Sequence, residues 1–505
     1  MSFLSIDVGS SRCKAGVFSA SGEMLALRSA SWIPQHPRPG RAELDPEVLF
    51  EVVTALIREI AAIDLKDSIE ALCFSSHGET LIPVGVDGRT LCPAILNTDG
   101  RAALEAGWCE QQIDRQQLFS ITGHTSHPMY PVPKLIWLRK NLPDAFAATR
   151  WFLGVTDYLL LRLGLPPLID YSHAARFMAL DVRTLAWSRE ILELAQVSPN
   201  ALSTPVPAGT IAGRLGGCSA ALLGIPEGTP VVVGGHDQVI GAVGLGIIGA
   251  GRAAGSLGTY ECILCVSDRP QLNQTALDHG LNSYPHAVPG KFVTIAYFPS
   301  GIMLQWLSDL LRGAQDGQDA ESLWKLLESE APDDPTGLLV TPHLIGTCNP
   351  EFDSQATAAI RGLTQASTRS RLYKGVLEGI ASELTLIIEC LESAGSVFGH
   401  INVSGGGVRS ATGMRLRAAF SGKHLHIMSG QESVCLGGAM LASVALRVHA
   451  DLEAAAKSML REEQCIDPDS ELARRYKAQL AGYRQFRSFL VQSHSNIDSQ
   501  EGEQS

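Results

Sequence analysis

The sequence predicts an α/β protein of two similar domains, and three observations support this. Strand-like apolar runs alternate with helical ones along the chain. Turns that combine glycine with hydroxyl residues, at Gly9 and Gly258, lie about half the chain apart. The 505 residues also exceed the roughly 100–200 of one domain. We therefore expect domains at 1–245 and 246–491. The polar tail, 492–505, lacks aromatic residues and is expected to be disordered.

The first half opens with a predicted three-stranded meander. Apolar runs at 3–8, 14–19 and 23–28 are separated by Gly-Ser-Ser and Ser-Gly turns. Helical periodicity follows at 49–63, and a strand is predicted at 71–76. Because strands alternate with helices, we expect a mostly parallel sheet.

The second half begins in a similar way. Residues 230–237 form an apolar run that leads into a turn and a helix, and 253–266 predict strand, turn and strand. The stretch Val239–Gly251 holds 13 nearly uncharged residues, too few for the about 20 of a membrane span, and predicts a buried helix. Its G-x-G-x-x-G pattern, 244–249, does not directly follow a strand. Helix packing explains it better than dinucleotide binding.

The charge balance, the amino-terminal segment and the cysteines limit the partners and the location that we expect. The chain has 40 Lys+Arg against 52 Asp+Glu and no basic block, which argues against nucleic acid. Its amino-terminal segment has no basic region before the first apolar run, unlike a signal peptide, so a cytoplasmic location is expected. Cys262 and Cys265 share one predicted strand but point to opposite faces, so reduced thiols are expected there rather than a metal clamp or a redox pair.

Three glycine-rich segments are candidates for binding a ligand. They are Asp7–Ser11 with Lys14, Gly255–Thr259, and Val403–Ser410. Turns whose backbone N–H groups converge can hold a phosphate, and glycines leave room for a flat ligand. Each segment alone is more often an ordinary β-turn. Together, at strand ends of two related domains, they favour a nucleotide between the domains. No G-x-x-x-x-G-K-[ST] pattern is present.

Asp237 is the sharpest single candidate for catalysis. It follows an apolar strand at the point where a helix begins, the edge at which α/β proteins bind ligands. There it could accept a proton from an attacking hydroxyl, or simply cap the helix as an N-cap residue. The polar groups at 77–79 and 99–101 could likewise contact a ligand or cap loops.

The order of these motifs resembles the FGGY family of carbohydrate kinases, over nearly the whole chain. The segment 129–137, MYPVPKLIW, fits the family signature. IDVGSSRCKAGVF, GGHDQ, GSLGTYE, VSGGGVRS and ESVCLGGAMLA then resemble, in order, the first phosphate, catalytic, second phosphate and adenosine segments and the helix that closes the adenosine pocket.

The resemblance implies two ribonuclease-H-like (actin-like ATPase) domains with sugar and Mg-ATP in the cleft between them. It implies that Asp237 is the base and that Asp7, with Asp237, holds Mg²⁺. The residues implied to contact ATP are Ser10, Ser11, Lys14, Gly258, Thr259, Gly406, Gly407 and Arg409. Those expected around the substrate are His77, Glu79, Asp99, Arg101 and Gln238.

The expected substrate is a small sugar, ketose or polyol. Glu79 and Gln238 resemble residues of glycerol-type members, but Gly78 replaces their arginine, and the xylulose-type Met-His pair is missing. The resemblance also allows a homodimer, because dimers are common in the family. The alternatives are a catalytically weak sugar- or nucleotide-sensing regulator and an actin-like assembly protein.

Overall fold

Two large β-sheets organise the chain, one in each half. The structure is a computed structural model that describes residues 1–312, 319–428 and 432–501, with side chains as far as residue 491. The first large sheet has six strands and the second has seven.

The strands of the first half are β1 (Ser2–Val8), β2 (Arg12–Ser19), β3 (Met24–Ser31), β4 (Glu43–Leu44), β5 (Ile69–Ser76), β6 (Ile82–Gly85), β7 (Ala94–Ile95), β8 (Thr149–Leu153), β9 (Leu168–Asp170), β10 (Leu180–Asp181), β11 (Ala186–Trp187), β12 (Thr204–Val206), β13 (Ile211–Arg214) and β14 (Pro230–His236). Its helices are α1 (Pro46–Ala61), α2 (Ala103–Gln112), α3 (Arg115–Thr122), α4 (Pro131–Asn141), α5 (Pro143–Ala148), α6 (Val155–Arg162), α7 (Tyr171–Ala175), α8 (Arg189–Ala195), α9 (Gly217–Leu223), α10 (Asp237–Gly244) and a 3₁₀ turn at Pro199–Ala201.

The strands of the second half are β15 (Ala253–Leu257), β16 (Tyr260–Ser267), β17 (Asn282–Pro285), β18 (Phe292–Pro299), β19 (Leu339–Thr341), β20 (Ala359–Arg361), β21 (His400–Ser404), β22 (His424–Met428) and β23 (Glu462–Ile466). Its helices are α11 (Gln274–Asp278), α12 (Gly301–Arg312), α13 (Ala320–Ser329), α14 (Arg369–Ser393), α15 (Ala411–Ser421), α16 (Ser433–Ala445), α17 (Leu452–Met459), α18 (Ser470–Glu501) and a 3₁₀ turn at Gly406–Arg409.

The two large sheets share one topology. Their strand orders are β3-β2-β1-β5-β14-β13 and β17-β18-β16-β15-β21-β22-β23. In each, an antiparallel meander is followed by two parallel pairings and then by an antiparallel edge strand. The predicted meander of the first half and the predicted strand, turn and strand over 253–266 are confirmed, but the prediction of a mostly parallel sheet is wrong. Short turns can join only antiparallel neighbours, so each meander contributes antiparallel pairs.

Local sequence explains why α1 begins where it does. The carboxylate of Asp45 accepts a hydrogen bond from the backbone N–H of Glu47 at 2.9 Å, and Pro46 occupies the first turn. An acidic N-cap followed by proline satisfies or removes N–H groups that would otherwise lack partners. The helix then buries Leu49, Val53 and other apolar side chains against the first sheet.

Helices α10 and α16 join the two halves through glycine contacts. A Cβ atom at Gly244 would lie 1.8 Å from the Ser433 carbonyl oxygen, and one at Gly437 would lie 2.0 Å from that of Ile240. This confirms that Gly244 serves helix packing. The buried helix predicted for residues 239–251 is shorter than expected: α10 ends at Gly244, because Gly246 takes a left-handed backbone with φ of 75°.

Helix α18 continues to Glu501. Residues 492–501 of the predicted disordered tail are therefore helical in the structure, whereas 502–505 lie outside the described residues. Across the described ranges, no helix combines the length and apolar character needed to cross a bilayer. Cys262 and Cys265 are both buried on β16 as free thiols.

Candidate active site

Asp237 lies at the junction of β14 and α10, as the sequence predicts. It is the first residue of the helix, whose N-cap is His236. Asp237 is thus not the N-cap considered above, although its Oδ1 accepts the Gln238 backbone N–H at 2.6 Å. His236 Nε2 lies 3.4 Å from the same oxygen. Burial, followed by the negative charge of Glu79, raises the Asp237 pKa to about 6.

Asp7 occupies the corresponding position near the end of β1. Its Oδ1 atom is buried and has no hydrogen-bond partner. Burial and the negative charge of Asp237 raise the Asp7 pKa to about 7, while the Lys14 ammonium opposes this rise. The structure therefore brings Asp7 and Asp237 into electrostatic contact, with one carboxylate oxygen left unpaired.

The turn at Gly9–Ser11, predicted to bind phosphate, connects β1 to β2 and is anchored by Trp32. The indole N–H of Trp32 donates to the Ser10 carbonyl at 2.9 Å, and its backbone N–H donates to the Ser11 carbonyl at 3.1 Å. Lys14 Nζ lies 2.7 Å from Glu432 Oε2, just before α16. Lys14 thus already has an anionic partner from the second half, and a phosphate at this turn would compete with Glu432.

The other turn predicted to bind phosphate and the segment predicted to bind adenosine pack on one another. Gly258 and Thr259 form the turn between β15 and β16. A Cβ atom at Gly405, where φ is 101°, would lie 2.7 Å from the Leu257 carbonyl oxygen, and one at Gly407 would lie 2.8 Å from the Leu257 Cβ. Glycine is required here because the two backbones meet, which places Gly406 and Gly407 beside Gly258. Arg409, at the end of the 3₁₀ turn, is exposed.

Glu79 is buried and forms an ion pair with Arg176. The Arg176 guanidinium lies over the rings of Tyr130 and Tyr284, at 5.1 and 5.4 Å from their centroids. Its Nη1 is buried without a hydrogen-bond partner. Because Glu79 and Arg176 both influence the Asp237 pKa, this pair lies close to the candidate base.

Lys134, the lysine of the segment 129–137, holds the loop that carries Glu79. Lys134, on α4, is fully buried and donates hydrogen bonds to the carbonyl oxygens of Glu79 at 2.8 Å and Leu96 at 2.7 Å. Burial lowers the Lys134 pKa to about 7. Glu79 itself has a left-handed backbone with φ of 65°, an uncommon conformation for a residue with a side chain. The lysine therefore stabilises a strained turn beside Asp237.

Three other predicted substrate residues are engaged with protein groups. The ring nitrogens of His77 lie 3.0 Å from the Val8 carbonyl and 2.7 Å from Thr80 Oγ1. Arg101 lies 2.7 and 2.8 Å from the two carboxylate oxygens of Asp99 and also binds Glu43 at 2.6 Å. These contacts give His77, Asp99 and Arg101 a structural role in positioning loops, and a substrate role for them stays a prediction.

Gln238, the residue after Asp237, connects the first half of the chain to the second. Its Oε1 accepts a hydrogen bond from Ser256 Oγ on β15 at 3.4 Å. The contact places the residue after Asp237 next to the strand that leads into Gly258 and Thr259. The two turns predicted to bind phosphate and the carboxylates of Asp7 and Asp237 therefore surround one region between the sheets.

Several residues near this region are not predicted from the sequence. Arg176 is one, although a single charge between Ala174-Ala175 and Phe177-Met178 is a signal that could have identified it. His173 is another: its Nδ1 lies 3.0 Å from Asp170 Oδ1. Burial, the largest single influence, lowers the His173 pKa, but the hydrogen bond to Asp170, the Asp170 charge and the Ser76 carbonyl together outweigh it, so the His173 pKa is raised.

Comparison with known proteins agrees with this geometry. The model of the FGGY carbohydrate kinase N-terminal domain matches residues 2–244, and that of the C-terminal domain matches residues 253–446. The chain belongs to the FGGY family of carbohydrate kinases. It is therefore an enzyme, a kinase that uses ATP to phosphorylate a sugar-type substrate.

Individual relatives and solved structures agree with this membership. The chain is 29% identical to a xylulose kinase of Escherichia coli (strain K12), over 88% of this chain and 90% of that protein. It is 26% identical to a gluconokinase of Bacillus licheniformis, over 87% and 86%.

A gluconate kinase structure from Lactobacillus acidophilus aligns with a TM-score of 0.89 at 24% identity, covering 98% of this chain and 99% of that one. A Plasmodium falciparum glycerol kinase with ADP aligns with a TM-score of 0.85 at 19% identity, covering 96% and 98%. These structures share the fold and confirm the predicted two-domain, actin-like ATPase architecture.

Proposed function

We propose that this FGGY kinase transfers the terminal phosphoryl group of ATP to a hydroxyl of a small sugar, sugar acid, ketose or polyol, with Asp237 as the general base. The observation that carries the proposal is the partly buried Asp237 carboxylate at the start of α10, whose pKa is raised to about 6. A base with a pKa near the working pH is both ionised and able to accept a proton. An ordinary aspartate would be a much weaker acceptor.

Two neighbours hold the base in place. The Gln238 backbone N–H holds Oδ1 at 2.6 Å, and His236 approaches the same atom at 3.4 Å. Burial lowers the His236 pKa well below its ordinary value, so this ring is neutral and does not neutralise the carboxylate. The second oxygen of Asp237 would take the hydroxyl proton as the oxygen attacks phosphorus.

The carboxylates near the phosphate turns fit a Mg²⁺ ion. The buried Asp7 Oδ1 has no protein partner, and carboxylate oxygens combined with substrate phosphates are usual Mg²⁺ ligands. We assign the ion to Asp7, with Asp237 beside it. When bound, Mg²⁺ neutralises negative charge on the phosphates.

ATP would lie along the glycine turns. Gly258 and Thr259, with Ser10, Ser11 and Lys14 opposite, would face the phosphates, and Gly406, Gly407 and Arg409 would border the adenosine. Lys14 would leave Glu432 to reach a phosphate. The α10–α16 glycine contact is a close backbone contact about which the halves could close over the substrates.

The substrate would bind beside the Glu79–Arg176 pair. Glu79 can accept hydrogen bonds from sugar hydroxyls, and the unpaired Arg176 Nη1 can donate one. The named relatives act on xylulose and gluconate, and both substrates offer several hydroxyls. An Arg176 contact to a carboxylate would favour a sugar acid, whereas a contact to a hydroxyl would favour a ketose or polyol.

ATP consumption against a panel of ketoses, sugar acids and polyols tests this proposal. We expect one class to raise turnover, and Asp237→Asn to reduce it by roughly 10²- to 10⁴-fold. Asp87→Asn, a matched change on an exposed turn, should leave turnover unchanged. The proposal fails if no compound raises turnover above background, or if Asp237→Asn keeps full activity.

A further inference from the structure

Three histidines and a cysteine share one face of the outer strands of the second sheet. His424 and His426 are two residues apart on β22, so their side chains point to the same face. His400 on β21 is directly opposite His424, and Cys465 on β23 is directly opposite His426. The strand register alone thus brings four metal-binding side chains together.

Neighbouring ligand atoms in this cluster lie 2.8 to 4.0 Å apart, a range that brackets the separation of ligands around one zinc ion. His400 Nδ1 lies 3.2 Å from His426 Nε2, and Cys465 Sγ lies 4.0 Å from the same nitrogen. Cys465 Sγ lies 3.6 Å from Asp467 Oδ1, which is 2.8 Å from His424 Nδ1. Ligands bound tetrahedrally to zinc at about 2.0–2.3 Å are separated by roughly 3.3–3.8 Å.

Cys465 is common to two candidate groups. The ligand atoms of His424, Cys465 and Asp467 all lie within 4.8 Å of one another, and so do those of His426, Glu462 and Cys465. These side chains are mostly exposed, so small rotations could bring them onto one ion. A thiolate with imidazoles and a carboxylate is the donor set that zinc-type ions prefer, whereas magnesium prefers oxygen ligands alone.

The cluster is separate from the proposed ATP site. His400 and His424 lie at the amino ends of β21 and β22, whereas the adenosine segment follows the carboxyl end of β21. A five-residue strand spans roughly 16 Å, so the two regions lie at opposite ends of the same strand. The candidate Mg²⁺ carboxylate Asp7 belongs to the other sheet.

We propose that this face binds one divalent zinc-type ion, with Cys465, His424 and His426 as its nitrogen and sulfur ligands and Asp467 as an oxygen ligand. Binding displaces the thiol proton of Cys465, and the imidazoles bind in their neutral form. The ion would link the edge strand β23 to β22 and so hold the connection between α17 and α18. Its role is structural and independent of phosphoryl transfer.

Cobalt titration of the untagged, metal-stripped full-length protein tests the proposal. Co²⁺ replaces zinc in such sites, and a thiolate ligand gives a charge-transfer band in the near ultraviolet. We expect this band to saturate at one Co²⁺ per chain, to disappear on addition of Zn²⁺, and to be absent from Cys465→Ser. Cys218→Ser, which removes the other exposed cysteine, should retain it.

One histidine variant and two further measurements complete the test. Loss of a group that only hydrogen-bonds to a metal ligand weakens metal binding by roughly 10- to 100-fold. Because His426 is proposed as a ligand itself, His426→Asn should weaken Co²⁺ binding by more than this. Zn²⁺ should raise the unfolding temperature of the wild type but not of Cys465→Ser. Kinase activity with Mg-ATP should be the same in both. The proposal is overturned if the wild type shows no thiolate band, or if the band survives Cys465→Ser.

Discussion

Replacing Asp237 with Asn should stabilise the metal-free protein above about pH 6 although it lowers turnover. The Asp237 side chain is 22% exposed, and burial followed by the charge of Glu79 raises its pKa to about 6 from 3.8. Such an acid holds its proton more tightly in the folded state, so ionising it destabilises the fold. Asparagine carries no charge and keeps an oxygen for the Gln238 N–H.

The size of the effect follows from that pKa. The rise of the Asp237 pKa from 3.8 to about 6 corresponds to a loss of about 3 kcal/mol in the free energy of unfolding when the carboxyl ionises, at about 1.36 kcal/mol per tenfold change in proton affinity. This is an upper limit, because a native site relaxes around a charge. At about 2–4 °C per kcal/mol for a domain of this size, the unfolding midpoint would rise by at most roughly 6–12 °C.

The pH dependence has a definite sign. Below the unfolded pKa of 3.8 the carboxyl is protonated in both states, so wild type and Asp237→Asn differ little. As pH rises from about 4 to 6, the wild type loses stability relative to the variant. Above about pH 6, the difference in stability between the two proteins is constant. An aspartate with a lowered pKa would show the opposite trend.

Thermal unfolding in EDTA, measured from about pH 4 to pH 8, checks this prediction. EDTA removes metal ions that would compensate the Asp237 charge. Asp87→Asn, in an exposed turn, is the matched control and should follow the wild type at every pH. The reasoning is refuted if Asp237→Asn melts at or below the wild-type temperature at pH 8, or if its advantage does not shrink towards pH 4.

Three further predictions concern the same region. The kcat/KM of the wild type should fall about tenfold per pH unit below about pH 6, because only ionised Asp237 accepts a proton; a pH–rate profile that is flat down to pH 5 would contradict this. Glu79→Gln should destabilise the fold by roughly 3–5 kcal/mol in denaturant unfolding, because it leaves the buried Arg176 charge unpaired, and adding Arg176→Met should recover part of the loss. Gly244→Ala should cost about 3 kcal/mol or more in the same assay, because its methyl group would overlap the backbone of α16, whereas Gly249→Ala, with open space around it, should be tolerated.

Local sequence patterns predicted much of the fold and the position of the two carboxylates. Apolar runs that end in glycine turns identified β1, β2, β3, β5 and β14, and so placed Asp7 and Asp237 at strand ends. The partners of these residues could not be predicted in the same way. Glu79 and Arg176 are 97 positions apart, and Lys14 and Glu432 are 418 apart. No periodicity connects residues at such separations.

The sheet direction and the length of α10 show a related limit. Alternation of strands and helices suggested mostly parallel sheets, but the short meander turns make many of the pairings antiparallel. The apolar stretch 239–251 suggested one long helix, but a left-handed glycine ends it early. In both places the geometry of a short connection outweighed the average pattern of the segment.

The sequence by itself determined the strand ends, the glycine turns and the family, because these depend on residue order and local backbone preference. Only the tertiary structure decided which carboxylates ionise with difficulty, and it left one oxygen of Asp7 without a partner. It also placed the histidines of β21 and β22 beside Cys465 of β23. The physical reason is that pKa values and ligand sets depend on excluded water and on charges brought from distant segments, and packing alone supplies both.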